Sequence, residues 1–320
     1  HSLEVSQIAR SVARSLNLNE DLCEVLSLAH DLGHTPFGHA GEDALNKCLD
    51  GKGVFDHNIQ TLRILILLED VYSSHPGLNL SLNTLDGLLK HNGPISDEKL
   101  YEDQIPEIFD YNFNFKTFGS LEAQIASLSD DIAYNCHDID DGLRAGCLNL
   151  DDLLEIDLLR DQWKVLEKTY PNATKHSLQR ELIRNQIGLM VDDVIQHTKK
   201  QIIGLSSVDE VRGSNCQLSN FSPHFLEAER TLKKFMYDRL YFHKDQVLAS
   251  EKANDIIKRL FLAYLEDSNL MPLEWQHKLP DEHTSRARVV ADFIAGMSDR
   301  FAVERFTAIY GERPEGLSNV

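Results

Sequence analysis

Apolar positions recur every three to four residues along most of this chain. Over residues 1–16, Leu3, Val5, Ile8, Ala9, Val12, Ala13 and Leu16 fall at helical spacing, which predicts a helix with one buried face. Asn19 is placed to cap a second helix, with Glu20 and Asp21 in its first turn and Leu22, Val25, Leu26 and Ala29 as its apolar set. Gly33 is expected to end that helix in the left-handed conformation. Thr35-Pro36 predicts the cap and first position of a third helix running toward Leu49. Residues 56–71 read as a fourth helix. The same periodicity runs through 120–141, 151–168, 174–203, 222–242, 249–265 and 285–310. Strand-like alternation is nowhere convincing. Residues 111–118 alternate aromatic and polar side chains and read as a loop, with a short strand as the weaker alternative. Residues 205–220, rich in Ser, Gly and Asn, read as an exposed loop. The expected fold class is all-α. A helical core over 1–150 would carry a helical part over 151–320 packed on it, as one continuous domain.

Composition narrows the function. The 320 residues carry 32 Lys and Arg against 51 Asp and Glu, a formal charge of −19. A 42% hydrophobic content is ordinary for a globular protein, and the most apolar run, Ile64–Leu68, is far too short to span a bilayer. No membrane association is expected. The five cysteines are scattered without a CxxC pair, so they read as reduced thiols, mostly core fillers, in a cytoplasmic protein. No signal peptide is visible. The chain starts at His1 without a Met, and residues upstream of it are expected. The negative balance counts against a broad nucleic-acid-binding surface, because phosphate contacts need clustered Lys and Arg. An anionic small substrate is still admissible, provided local cations or a metal receive it.

The densest chemistry lies in His30-Asp-Leu-Gly-His-Thr-Pro-Phe-Gly-His-Ala-Gly-Glu42, with three histidines and two carboxylates in thirteen residues. His30 and Asp31 diverge by about 100° on a helix, yet near a helix end both can reach one ion. Imidazole plus carboxylate suits Mn, Fe, Ni, Co or Zn better than Mg alone. Two ligands leave most of the shell unfilled. His1, on the first helix, and the Asp130-Asp131 pair, in an otherwise core-like segment, are candidates to complete it. Each alone has a plain reading: a terminal surface residue, and a solvated face or cap.

The order His1, His30-Asp31, Asp130 resembles the ligand order of the HD-domain metallophosphohydrolases. The longer string through Glu42 is similar to the deoxyguanosinetriphosphate triphosphohydrolase-like branch. So are Phe55-Asp-His-Asn-Ile-Gln-Thr-Leu-Arg63, Gly87-Leu-Leu-Lys-His-Asn-Gly-Pro94, Asp130-Asp-Ile-Ala-Tyr-Asn-Cys-His-Asp138 and Ala295-Gly-Met-Ser-Asp-Arg-Phe-Ala302. These matches span almost the whole chain. The Gly-Tyr-Pro motif of the cyclic-dinucleotide phosphodiesterases and the Glu-Asp-rich segment of the stringent-response hydrolases are absent from it.

The resemblance implies an HD-domain helical fold with a helical C-terminal extension, and one divalent metal (Mn, Mg, Co, Ni, Fe or Zn) on His1, His30, Asp31 and Asp130. It implies metal-dependent hydrolysis of deoxynucleoside triphosphates, dGTP among them, to deoxynucleoside and inorganic triphosphate. His39 matches the catalytic histidine and Glu42 its orienting carboxylate. His34 and His57 are further pocket candidates, and His57 reads equally as a helix-face histidine. Tyr134 would pack on the deoxyribose and Asp138 would accept the 3′-hydroxyl. Arg63, Lys90, Lys116 and His91 are candidates for the triphosphate. Asp131 would serve structure or support a ligand histidine, and Asp299-Arg300 reads as an ion pair or subunit contact. The family's arginine shortly before the first ligand histidine would precede His1. The substrate is expected to arrive with Mg²⁺, the protein to be a homo-oligomer as large as a hexamer, and a dNTP to serve as activator. The alternatives are an HD phosphohydrolase of another nucleotide or phosphate ester, and a non-catalytic dNTP sensor or single-stranded-DNA binder.

Overall fold

The computed structural model describes residues 1–241 and 244–314. Their α-helices, in chain order, are α1 (Ser2–Leu16), α2 (Glu20–Ala29), α3 (Gly38–Cys48), α4 (His57–Arg63), α5 (Leu82–Leu89), α6 (Glu98–Gln104), α7 (Leu121–Ala145) and α8 (Leu150–Leu153). They continue with α9 (Asp157–Thr169), α10 (Lys175–Gln201), α11 (Val208–Arg212), α12 (Pro223–Met236), α13 (Lys244–Glu266), α14 (Leu273–Gln276), α15 (His283–Ala295) and α16 (Asp299–Tyr310). Short π-helical segments, Ile64–Leu68 and Tyr237–Tyr241, extend α4 and α12, and 3₁₀ turns occupy Pro106–Tyr111 and Ser268–Leu270. Among the described residues there is no β-strand, so the all-α expectation holds. No helix of the described residues is long and apolar enough to cross a membrane.

The fold divides into two compact units. One lies within His1–Ala29, Lys90–Ile95 and Phe115–His243; the other lies within His30–Leu89, Ser96–Asn114 and Lys244–Val320. Each draws on both halves of the sequence. In the first unit, Val5, Ile8, Ala9, Val12 and Ala13 of α1 pack with Ile125, Leu128, Ile132 and Cys136 of α7 and with Met190 and Val194 of α10. Leu3, expected on the inner face of α1, is 73% exposed because it lies off that stripe. In the second unit, Leu45 of α3 and Leu49 at its C-cap join Ile257, Leu260, Phe261 and Tyr264 of α13 and Val290 and Ile294 of α15. Burying each of these large side chains contributes roughly 1.5–3 kcal/mol.

Local capping chemistry sets most helix starts. Asn19 Oδ1 accepts from Leu22 N, the Asp56 carboxylate from Asn58 N and Ile59 N, and Ser120 Oγ from Ala123 N. Thr174 and Ser222 act likewise on Ser177 N and Phe225 N. Each satisfies an amide the helix leaves open. Residues 112–118 form a loop, as expected for this stretch, while Tyr111 ends the preceding 3₁₀ turn, and Asn112 is left-handed at φ 55°.

Several expectations are corrected. Helix α2 stops at Ala29 and Gly33 is not left-handed. Thr35-Pro36 does not open α3, which begins at Gly38 behind a left-handed Phe37 (φ 66°). Residues 285–310 form two helices, because Ser298 caps α16 after the Gly296 break. The fourth helix ends at Leu68 rather than Val71. Helices α5, α6 and α11 arise where no helix was read, and within 205–220 Leu218 and Ser219 are buried, their amides donating to Gln124 Oε1. Among the cysteines only Cys23 and Cys136 fill the core. The expected end of the 222–242 helix lies outside the described residues.

Candidate active site

In the second unit, the His30-Asp31 turn is pinned to α4. Thr61 Oγ1 accepts from Gly33 N at 2.9 Å and lies 3.0 Å from both the His30 and the His57 carbonyl oxygens, to which its hydroxyl donates. Gly33 is required by close approach: a Cβ there would come 2.0 Å from the His57 carbonyl oxygen and 2.4 Å from Thr61 N. The Asp31 carboxylate sits between His30 Nε2 at 3.2 Å and His34 Nε2 at 3.3 Å. Burial acts to raise the Asp31 pKa, but hydrogen bonds from His30 and His34 outweigh it and hold the carboxyl well below its usual range.

The start of α3 is held from two sides. Phe37 N donates to Asp299 Oδ1 at 2.8 Å, and Thr35 Oγ1 donates to the Gly38 carbonyl at 2.9 Å. Asp299 therefore serves structure, while Arg300 pairs with Glu304 on α16. A Cβ at Gly41 would lie 1.9 Å from the Pro36 carbonyl oxygen, so glycine lets α3 turn back onto this loop.

Helix α3 presents His39 and Glu42 together. Glu42 Oε2 lies 3.3 Å from His39 Nδ1, and Oε1 lies 2.9 Å from His57 Nδ1 while accepting from His57 N at 2.9 Å. The His34 ring stacks on His57 with centroids 4.3 Å apart, and His39 stands edge-on to both. Donor atoms of His34, His39, Glu42 and His57 all lie within 4.8 Å of one another. Burial would raise the Glu42 pKa, but hydrogen bonds from His39 and His57 hold it well below the usual range. The bond to Glu42 in turn raises the pKa of His39, with burial opposing. This arrangement can hold a proton on an exposed imidazole whose orientation a half-buried carboxylate fixes.

In the first unit, His1 at the head of α1 places Nε2 2.7 Å from Asp130 Oδ1 on α7. His91 Nε2 approaches the other carboxylate oxygen at 3.7 Å. The His1 ring meets Tyr134 edge-on at 6.5 Å and His137 at 5.8 Å. Asp138 follows two turns after Asp130 on α7. Asp131 turns away to the Lys233 ammonium, 2.9 Å distant, as expected of a structural partner. His137, which also pairs with Glu4, went unread in the sequence, although it lies seven residues beyond Asp130 and so on the same helix face.

The cation candidates separate. Buried Lys90 donates to Thr117 Oγ1 at 3.0 Å, and Lys116 reaches the Ile95 carbonyl at 3.4 Å. Arg63, expected to meet a triphosphate, is instead taken up inside the second unit. It pairs with Asp292 at 2.6 Å and donates to the Gln104 carbonyl. Arg288 grips the same carboxylate at 3.1 Å. Burial pushes the Arg288 guanidinium down to about 10, with Asp292 opposing and Arg63 reinforcing the fall, so it stays charged at neutral pH.

The donor chemistry fits a divalent ion. The His1–Asp130 pair in one unit and the His30–Asp31 pair in the other each set an imidazole nitrogen about 3 Å from a carboxylate oxygen, the spacing of neighbouring ligands with bonds of about 2.0–2.2 Å. Mixed N and O donors suit first-row transition ions.

Comparison with known proteins agrees with this chemistry. Residues 1–135 match the HD domain, and residues 219–308 match the phosphohydrolase-associated domain. The chain is 43% identical over 325 aligned residues to the deoxyguanosinetriphosphate triphosphohydrolase-like protein of Brucella ovis, covering 98% of this chain and 81% of that protein. The protein of the same name from Bartonella quintana is 43% identical over 319 residues, covering 97% and 80%. That from Nitrobacter hamburgensis is 43% identical over 334 residues, covering 98% and 82%. With HD-type donor pairs, a histidine–carboxylate cluster beside one of them, and this extent of identity, the chain belongs to the deoxyguanosinetriphosphate triphosphohydrolase-like proteins, a group of HD-domain phosphohydrolases.

Proposed function

We propose that this protein hydrolyses deoxynucleoside triphosphates, dGTP among them, to deoxynucleoside and inorganic triphosphate, with one divalent metal held by His1, His30, Asp31 and Asp130. The observation that carries the reading is Glu42, whose Oε2 meets His39 and whose two oxygens both meet His57. When bound, the cation supplies Lewis-acid chemistry that offsets charge on the α-phosphoryl group. Water oxygen bonds to the α-phosphorus as the bond from phosphorus to the 5′-oxygen breaks, and the water's proton passes to solvent. The leaving alkoxide is strongly basic, so it needs a proton as it departs. His39 donates that proton, its protonated form favoured by Glu42. His57 and His34 hold Glu42 and the ring stack in register. Tyr134 packs on the deoxyribose, and Asp138 accepts from the 3′-hydroxyl. Lys90, Lys116 and His91 remain the candidates for the triphosphate, and Arg63 does not.

Substrate arrives as its Mg²⁺ complex, in the cytoplasm, to an assembly of identical subunits that a second dNTP activates. Product analysis with each dNTP, alone and in mixtures, with Mg, Mn and Co, tests the reading. Triphosphate and deoxyguanosine from dGTP are the expected products. Orthophosphate release would instead assign an HD phosphohydrolase of another ester, and no turnover with bound dNTP would assign a sensor.

A further inference from the structure

Within the second unit, α3 and α13 border a cleft of 430 Å³ that the proposed reaction does not use. Its volume is within the range of small-molecule sites. Ala44 and Phe261 form buried parts of its wall, with Leu262 and Leu265 beside them. Lys47, Lys52 and Lys258 stand on the same cleft. None of the three has an ion-pair partner among the described residues, and Asp255, one turn before Lys258, pairs with Arg259 instead. The end of α3 accommodates the charge of Lys47, but Lys52 follows the helix and Lys258 lies inside α13, where no helix end helps. In a chain of net charge −19, three ammonium groups gathered without counter-ions make a local positive field against the bulk.

We propose that this cleft binds a small amphipathic anion: a carboxylate, sulfonate or phosphate carried on an apolar body. The apolar body lies on Phe261 and the leucines of α13, and the anionic group meets the three lysines. Neither half suffices, because the wall offers no charge and exposed ammonium groups hold a bare anion weakly. This assignment is independent of the proposed hydrolysis.

Cys48 reports on the cleft. It is half-buried in the lining. Burial raises the pKa of its thiol, while Lys258 and Lys52 act in the opposite direction. An occupant therefore both covers the sulfur and cancels the charge that favours its thiolate, and each effect slows alkylation. The test is the rate of N-ethylmaleimide labelling at Cys48 in the folded protein, followed by peptide mass spectrometry, with Cys147 as internal reference. The probes are 8-anilinonaphthalene-1-sulfonate, its uncharged parent N-phenyl-1-naphthylamine, and inorganic phosphate. The sulfonate is expected to slow Cys48 saturably, about fivefold at about four times its Kd. The uncharged parent and phosphate at the same concentration leave the rate within about twofold. The triple variant Lys47→Gln, Lys52→Gln, Lys258→Gln loses the protection, and the corresponding triple Arg variant keeps it. Equal protection by the uncharged parent, no protection by the sulfonate, or protection that survives in the Gln variant would each overturn the proposal. The wild-type comparison of sulfonate with its parent decides it even where a variant fails to fold.

Discussion

One carboxylate organises the histidine cluster around α3. Glu42 is held well below the usual carboxylate range by His39 and His57 against the effect of burial, and it raises the pKa of His39. The sign of the pH dependence follows. In its proposed role as acid His39 works while protonated, so turnover should be present below its raised pKa and lost as pH climbs through it. Glu42→Gln removes the charge that raises this pKa. The alkaline limb of kcat should then move to lower pH, and kcat should fall about tenfold or more. His39→Ala should lower kcat by about 10²–10⁴ with a smaller change in KM. A pH profile of Glu42→Gln with its alkaline limb unmoved would sink the acid assignment. The adjacent Asp130 and Asp131 offer a second discrimination at this scale. Asp130 faces His1 and His91, whereas Asp131 faces Lys233. Asp130→Ala should cut metal affinity by more than the ~10–100-fold typical of losing a supporting residue. Asp131→Ala should leave metal content unchanged and cost about 0–1 kcal/mol of stability, as an exposed pair does. Metal analysis of the two purified variants separates them.

The meeting of the HD turn with α4 is a backbone contact that side chains only secure. Thr61 gives Gly33 N its acceptor and donates back to His30 and His57 carbonyls. Thr61→Val keeps the shape but leaves a buried amide without a partner, which costs about 1–3 kcal/mol. Gly33→Ala should cost more, because the clashing atoms are backbone of α4 and cannot swing aside. Urea unfolding of both variants checks the order, and metal content should fall in Gly33→Ala before overall stability is lost. These elements also divide what was legible in the sequence from what was not. The cap at Asn19 and the helix starts at 56, 120, 174 and 222 were readable because capping side chain and amide lie within three residues of each other. The start of α3 was not. Thr35-Pro36 carries a good local cap signal, but Phe37 is held left-handed by Asp299, 262 residues away. The dense His/Asp/Glu string announced a site through its motif. The encounter of His91 with Asp130, and the diversion of Arg63 to Asp292, depend on packing that no local spacing encodes. The break before α16 did carry a local signal, Gly296 followed by a capping Ser298, and the apolar periodicity running through it masked it.

For the whole molecule, the charge of −19 and the proposed anionic substrate set a problem of encounter. At the active cluster, carboxylates face histidines: Asp31 lies between His30 and His34, and Glu42 between His39 and His57. These pairings cancel charge locally without making the site strongly basic. Of the sequence-read cations, Arg63 is held by Asp292 in company with Arg288, leaving Lys90 and Lys116 for the proposed substrate. The long-range field is therefore set by the bulk excess of carboxylates, and it repels a triphosphate even when Mg²⁺ has halved its charge. Salt screens such repulsion beyond a Debye length, about 10 Å at 0.1 M. For a like-charged pair, screening speeds association, whereas an electrostatically steered pair is slowed by it. At constant free Mg²⁺, kcat/KM for dGTP should accordingly rise between about 20 and 150 mM NaCl, with kcat little changed because screening acts on encounter rather than on the bound complex. A fall in kcat/KM over that range would mean that lysines near the site, not the net charge, govern approach. The same measurement with the protein of opposite local balance, Lys90→Gln, should then steepen the rise, because it removes one of the few cations that counter the field.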